Sequence, residues 1–334
     1  MRALKGDRHL VAGRRGQDVT RVVIAGGSGL IGRALTASLL RDGVDVDVLT
    51  RDPARRSRHV APGAQALHWD PRDPAGVGEL ASAIDSATAV VNLTGVPIGP
   101  LPWTAGRRRA IVDSRVGPTR SLVEAMALLS PSARPGVFVC AMGIDGYTGL
   151  DTDPATEATD TSATIGFLAD LERPWASAAL GAEALGVRVV LVRTAFVLAR
   201  ESSLLPLLAL PVRLGLGGRY GSGRQWFSWI HLDDLVAAYR FAIADPGVSG
   251  PVIAASPEPC HQRDLAAALA RVLHRPNWLP VPGWLLRLFL REEATLLLGS
   301  RRVVPARLLG AGLEFAYTDL EAALVDVLSQ PSHA

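Results

Sequence analysis

From residue 21 onward, short apolar runs alternate with longer stretches in which apolar residues recur every three or four positions. The runs at 22–24, 44–49, 67–69, 89–93, 136–140 and 187–192 are rich in Val, Leu, Ile and Ala, and predict strands. Between them, helical periodicity predicts helices over 30–42, 79–84, 104–129 and 164–185. Strands alternating with helices pack as a parallel sheet covered on both faces, so the fold class is α/β with a Rossmann-like doubly wound sheet. Past about residue 198 the alternation fades. A Gly-rich loop at 215–223 leads into an aromatic element at 226–231 and a helix at 233–244. A strand at 252–254, a helix at 261–274 and a mixed apolar and charged terminal segment follow. The expected organisation is a Rossmann domain over 20–198 and, over 199–334, a substrate cap with a small C-terminal domain. One sheet element of that second half is expected to return to the Rossmann core.

Composition narrows the class. A chain of 334 residues with 48% hydrophobic content can bury a substantial core. The net charge of +3 matches the excess in the first 19 residues, where Arg2, Lys5, Arg8, Arg14 and Arg15 face Asp7 and Asp18. The rest is formally neutral, so no basic face for nucleic acid is expected, and the basic tail reads as a solvated, disordered extension. Segment 204–212 is broken by Pro206 and Pro211, and 284–298 by Arg287, Arg291, Glu292 and Glu293. No membrane span is therefore expected. The leucine-rich 285–298 stretch is expected to form core against a neighbouring element, with a dimer contact as the alternative, so the protein is read as monomer or homodimer. Two distant cysteines, Cys140 and Cys260, and the lack of an apolar secretory leader point to a cytoplasmic setting. No H-E-x-x-H occurs, and His231 with Asp233 and Asp234 lacks a third ligand, so no metal is expected.

The chemistry begins at Gly26-Gly27-Ser28-Gly29-Leu30-Ile31-Gly32, which closes an apolar strand and opens a helix. A glycine-built turn lets the backbone approach a pyrophosphate lying on the helix N-terminus; the plain alternative is a structural turn. Gly26, Ser28, Gly29, Leu30, Ile31 and Gly32 are thus candidate dinucleotide contacts. The residue ending the second strand sorts NAD from NADP, because a carboxylate there suits a ribose hydroxyl and an arginine a 2′-phosphate. Arg51 falls at that place, so NADP(H) is expected in preference to NAD(H). Asp45 and Asp47 alternate with valines and are expected to face outward. Asp70 is expected to border the adenine, and Leu93, Thr94 and Gly95 to close over the ribose and nicotinamide side.

Several further segments carry a resemblance: Trp69-Asp70-Pro71, Asn92-Leu93-Thr94-Gly95, Ser114-Arg115, Gly146-Tyr147-Thr148-Gly149, Arg193-Thr194, Gly221-Ser222-Gly223-Arg224-Gln225, Ser228-Trp229-Ile230-His231 and Arg302-Val303-Val304-Pro305. Over residues 21–328 the chain resembles the epimerase-like branch of the atypical or extended short-chain dehydrogenase/reductases, in particular the NAD-dependent epimerase/dehydratase-like group with an extra C-terminal domain. The resemblance implies a small-molecule substrate and proton transfer by a serine and a Tyr-x-x-x-Lys pair. Here Trp175 occupies the tyrosine place, Ala179 the lysine place and Gly143 the serine place. An indole and a methyl group cannot supply a proton of matched pKa. Candidates for that role are Tyr147 and Asp145 after the fifth strand, and His231 in the cap. Glu157 is expected near the substrate mouth. Arg115, Trp175, Trp226, Ser228 and Trp229 are expected to line the substrate, with Arg115 or Arg224 able to hold an anionic group. Three functions stay open: an NADP(H)-dependent epimerase-like oxidoreductase of a small metabolite, a non-redox isomerase, cyclase or lyase in the same cleft, and a nucleotide-binding regulator.

Overall fold

The computed structural model describes residues 19–56, 60–98, 102–149, 153–202 and 204–329. Apart from Val19, the basic tail lies outside the described residues. The strands are β1 (Arg21–Ala25), β2 (Asp45–Thr50), β3 (Gln65–His68), β4 (Ala89–Asn92), β5 (Val137–Met142), β6 (Arg188–Thr194), β7 (Phe196–Leu198), β8 (Trp226–Phe227), β9 (Trp229–His231), β10 (Gly250–Ala254) and β11 (Cys260–His261). The helices are α1 (Leu30–Arg41), α2 (Pro53–Arg56), α3 (Val77–Ile84), α4 (Ala105–Leu128), α5 (Phe167–Leu180), α6 (Leu205–Arg213), α7 (Leu232–Ala244), α8 (Gln262–Val272), α9 (Gly283–Leu290), α10 (Thr295–Leu298), α11 (Ala306–Gly310) and α12 (Leu320–Ser329).

Seven strands form one parallel sheet in the order β10-β6-β5-β4-β1-β2-β3. The alternating direction of side chains along a strand divides its interior into two cores. Val22, Ile24 and Val91 pack with Leu35 and Leu39 of α1 and Leu235 and Tyr239 of α7. Val23, Ala25, Val90 and Phe138 face the other way, onto Leu80, Ile111, Leu122, Leu168 and Trp175 of α3, α4 and α5. Both faces being covered explains why these strands read as continuous apolar runs. Asp47 departs from its expected outward position. It is 7% exposed and pairs with Arg21 of the neighbouring strand at 2.6 Å, a compensation that lets a carboxylate enter the sheet.

The C-terminal half is tied into this frame. The strand expected at 252–254 is β10, which adds to the β6 edge with Gly250 opposite Val190. The expected single element at 226–231 is two short strands: β8 pairs antiparallel with β11, and β9 pairs parallel with β7. A third core joins Leu198, Leu205, Leu208 and Trp229 to Leu265 and Leu269 of α8 and Leu324 of α12. The leucine-rich segment divides: Leu296 and Leu297 pack partly buried against two of the cores, whereas α9 buries none of its residues, and Trp284, Leu288 and Phe289 are exposed. Among the described residues no helix is long and apolar enough to cross a membrane.

Candidate active site

The order of strands reverses between β1 and β4, the switch point at which open α/β sheets take ligands beyond the carboxyl ends of their strands. Ala25 lies opposite Asn92, so the segments that leave the two strands meet at once. Gly26 has a φ of +83°, and a Cβ there would stand 2.8 Å from the Leu93 carbonyl; only glycine fits. The α1 N-terminus that follows is capped by no side chain and has no acidic residue in its first turn, leaving its N–H groups for an anion. The β1–α1 turn therefore fits a dinucleotide. Thr94 is fixed beside it, donating from both N and Oγ1 to Asn92 Oδ1, at 3.1 and 2.6 Å. Arg51 follows β2 on the exposed surface. Asp70, half-buried beyond β3, accepts from the Arg72 N–H at 3.1 Å.

A cleft of about 340 Å³ extends from this turn. Ile31, Leu93, Thr94 and Gly95 line its nucleotide side; Arg115, Gly143, Asp145, Glu172, Trp175, Trp226, Ser228 and Arg301 line its far side. Of the residues expected near substrate, the structure thus brings Arg115, Asp145, Trp175, Trp226 and Ser228 together. Others stand elsewhere. Tyr147 is 1% exposed inside the sheet–helix core, its ring 5.1 Å from the Arg193 guanidinium, and burial raises its pKa. His231 is 3% exposed and caps α7: its Nδ1 accepts from the Asp233 N–H, and its Nε2 lies 3.2 Å from Asp326 Oδ2. It stacks on Tyr317 at 3.7 Å, tying α7 to the C-terminal segment rather than facing the cleft. Trp229 is fully buried and donates to the Glu258 carbonyl. Glu157 accepts from the N–H groups of Ile253 and Arg307, holding the C-terminal segment against β10. Arg224 is exposed.

The floor of the cleft holds two carboxylates, each with its own guanidinium. Asp145 Oδ1 accepts from Arg301 Nη2 at 2.8 Å. Glu172, missed at the sequence level, comes from α5 three residues before Trp175. Its Oε1 accepts from the Gly146 N–H at 3.1 Å, and its Oε2 from Arg193 Nη1 at 3.3 Å. Burial pushes its pKa up to about 7; Arg193 opposes the rise and Asp145 adds to it. Gly143 leaves room for both acids, since a Cβ there would lie 3.1 Å from Asp145 Oδ2 and 3.4 Å from Glu172 Oε1. A buried carboxyl with a pKa near neutrality can both give and take a proton at physiological pH. The signal was present in the sequence. Leu168, Leu171, Glu172, Trp175 and Ala179 form the buried stripe of α5, and a carboxylate on such a stripe has to be explained. Arg193 lies in the Arg193-Thr194 segment that carries the resemblance, but nothing local marks its pairing with Glu172, and Arg301 gives no local signal.

A doubly wound parallel sheet with a glycine-built β1–α1 turn and a cleft at the switch point defines a dinucleotide-binding fold of the short-chain dehydrogenase kind. Residues 22–253 match the NAD dependent epimerase/dehydratase family, and residues 281–327 match a domain of unknown function, DUF1731. The chain belongs to that epimerase family, as an atypical, epimerase-like member of the short-chain dehydrogenase/reductases. It is 37% identical over 315 residues to an epimerase family protein of Mycobacterium leprae, covering 93% of this chain and 96% of that one. The human epimerase family protein SDR39U1 (isoform 2), whose crystal structure is with NADPH, superposes with a TM-score of 0.80 at 29% identity, over 93% of this chain and 100% of that one. The Thermus thermophilus UDP-glucose 4-epimerase in complex with NAD shares the fold, with a TM-score of 0.70 at 17% identity, over 92% of this chain and 98% of that one.

Proposed function

We propose that the protein is an NADP(H)-binding, epimerase-like enzyme that acts on a small metabolite in the switch-point cleft, in the cytoplasm, with Glu172 as its proton-transfer group. The observation that carries this reading is the Glu172 carboxyl: buried, facing the cleft, and brought near neutral pKa beside the place where related enzymes keep their tyrosine. Gly26, Ser28, Gly29, Leu30, Ile31 and Gly32 would hold the pyrophosphate, with Leu93, Thr94 and Gly95 alongside. Bound NADP(H) would supply hydride chemistry. Arg51 at the β2 end, and the NADPH in the human relative's structure, support the phosphorylated cofactor. The chain's own residues orient the substrate, keep the floor dry and hold the proton on Glu172 Oε1 or Oε2.

Non-redox chemistry is the second reading, favoured by Trp175 and Ala179 where hydride-transferring relatives keep Tyr and Lys. Titration of the purified protein with NADP(H) and NAD(H) tests the main reading. Tighter binding of NADP(H), weakened about tenfold by Arg51→Ala, is expected, equivalent to about 1.4 kcal/mol. A folded protein that binds no nucleotide would sink it. Once a substrate is found, the NADPH/NADP+ ratio before and after turnover separates the redox reading from the non-redox one.

A further inference from the structure

The charges around the cleft do not cancel locally. Asp145 pairs with Arg301, and Glu172 with Arg193. Arg115 is left over: among the described residues no carboxylate lies within ion-pair distance of it, although it is only 9% exposed. Its Nη1 donates to the Ile111 carbonyl at 3.1 Å and lies 3.4 Å from Ser114 Oγ. Its remaining N–H groups have no hydrogen-bond partner among the described residues. The guanidinium packs close to Gly95, where a Cβ would come within 3.0 Å of Cζ, and over the Trp175 ring, 5.4 Å from Cζ to centroid. Burial, and then the nearby Arg107 charge, bring its pKa down to about 10, although Asp145, too far away for an ion pair, opposes the fall.

A buried guanidinium without an anion is costly, and a planar fork already held by burial and by the Ile111 carbonyl loses little entropy when it binds one. Its place in the cleft lies between the nucleotide-side loop at Gly95 and the proton-transfer group at Glu172. We infer that Arg115 is a built anchor for an oxyanionic group of the substrate, a carboxylate or a phosphate, which completes the charge of the cleft on binding. This rests on the reading of the cleft as a substrate site. It narrows the substrate class to small anionic metabolites and separates the anchoring cation from the proton carrier.

Calorimetric titration with malonate, and separately with inorganic phosphate, tests the anchor in the presence of saturating NADP+. Saturable binding is expected, at least tenfold weaker in Arg115→Gln, while NADP+ affinity stays within twofold of the parent. The tighter of the two probes tells carboxylate from phosphate. Arg115→Lys keeps the charge but loses the planar fork, so it should bind with intermediate affinity; it also serves as the variant if the glutamine protein does not fold. Absence of saturable binding of either anion by the unaltered protein would overturn the inference. So would an Arg115→Gln protein that loses NADP+ and keeps the anion, for the guanidinium would then belong to the cofactor. If no nucleotide binds, the cofactor reading fails by itself, and the anion titration without NADP+ still decides for or against Arg115.

Discussion

At the scale of single residues, the site is governed by how burial and pairing divide similar groups. On the cleft floor Glu172 is driven to a pKa of about 7, because burial weighs more on it than Arg193 relieves and the Asp145 charge adds to the rise. The sign has a consequence for stability. A carboxyl whose folded pKa lies above its unfolded value favours folding below the unfolded pKa, near 4.5, and loses that contribution as pH rises through about 7. The parent protein is thus expected to lose on the order of 3 kcal/mol from this group between pH 4.5 and 8. Glu172→Gln should remove that slope, as read by urea denaturation at several pH values. Parallel slopes in the two proteins would show that Glu172 is ordinary. Part of this was legible in the sequence. Arg115 is legible in the Ser114-Arg115 segment, now on α4, Trp175 in the tyrosine place it fills on α5, and Asp145 in its position just after β5. Tyr147 and His231 also lie in motif segments and carry suitable chemistry, yet both turn into the core. Their burial is set by long-range packing on Arg193, Asp326 and Tyr317, which no local spacing reveals.

At the scale of elements, the β1–α1 turn carries the cofactor reading. Gly26→Ala would force a Cβ onto the Leu93 carbonyl and hold alanine at a φ of +83°. Nucleotide binding should fall at least a hundredfold, measured by the same titration, with a lowered Tm. Unchanged affinity would mean that the turn does not cradle the nucleotide. The seven-stranded sheet was readable because its apolar runs are buried on both faces and its helices keep a 3.6-residue period. Two elements were not. The 226–231 run is split between β8 and β9 in different sheets, with Ser228 between them accepting from Val303 N–H and donating to the Arg301 carbonyl; tertiary contacts, not a turn residue, divide it. The leucine-rich α9 has the apolar content of a core helix, yet it packs at the surface. Hydrophobicity by itself did not say which element would cover it.

For the whole molecule, the C-terminal segment does more than extend the chain. Arg301 reaches Asp145 in the cleft, Ala155 bridges to Val303, and the buried Asp234 accepts from the N–H groups of Ala316 at 2.7 Å and Tyr317 at 2.9 Å. The region matching DUF1731 is therefore part of the site's wall. The sheet itself is completed late. After β6 the chain builds β7, α6, β8, β9 and α7 before β10 comes back to pair with β6. At a synthesis rate of about 5–20 residues per second, the backbone edge of β6 waits roughly 3–12 s for its partner while the rest of the parallel sheet is already in place. An unpaired inner strand is open to wrong pairing for that time. Limited proteolysis of ribosome-bound chains should find β6 cut when synthesis is arrested before β10 emerges and protected when it is arrested after; equal protection would show that the edge is covered by something other than β10. Newly made protein, not the finished molecule, is where this topology exacts its demand on chaperones.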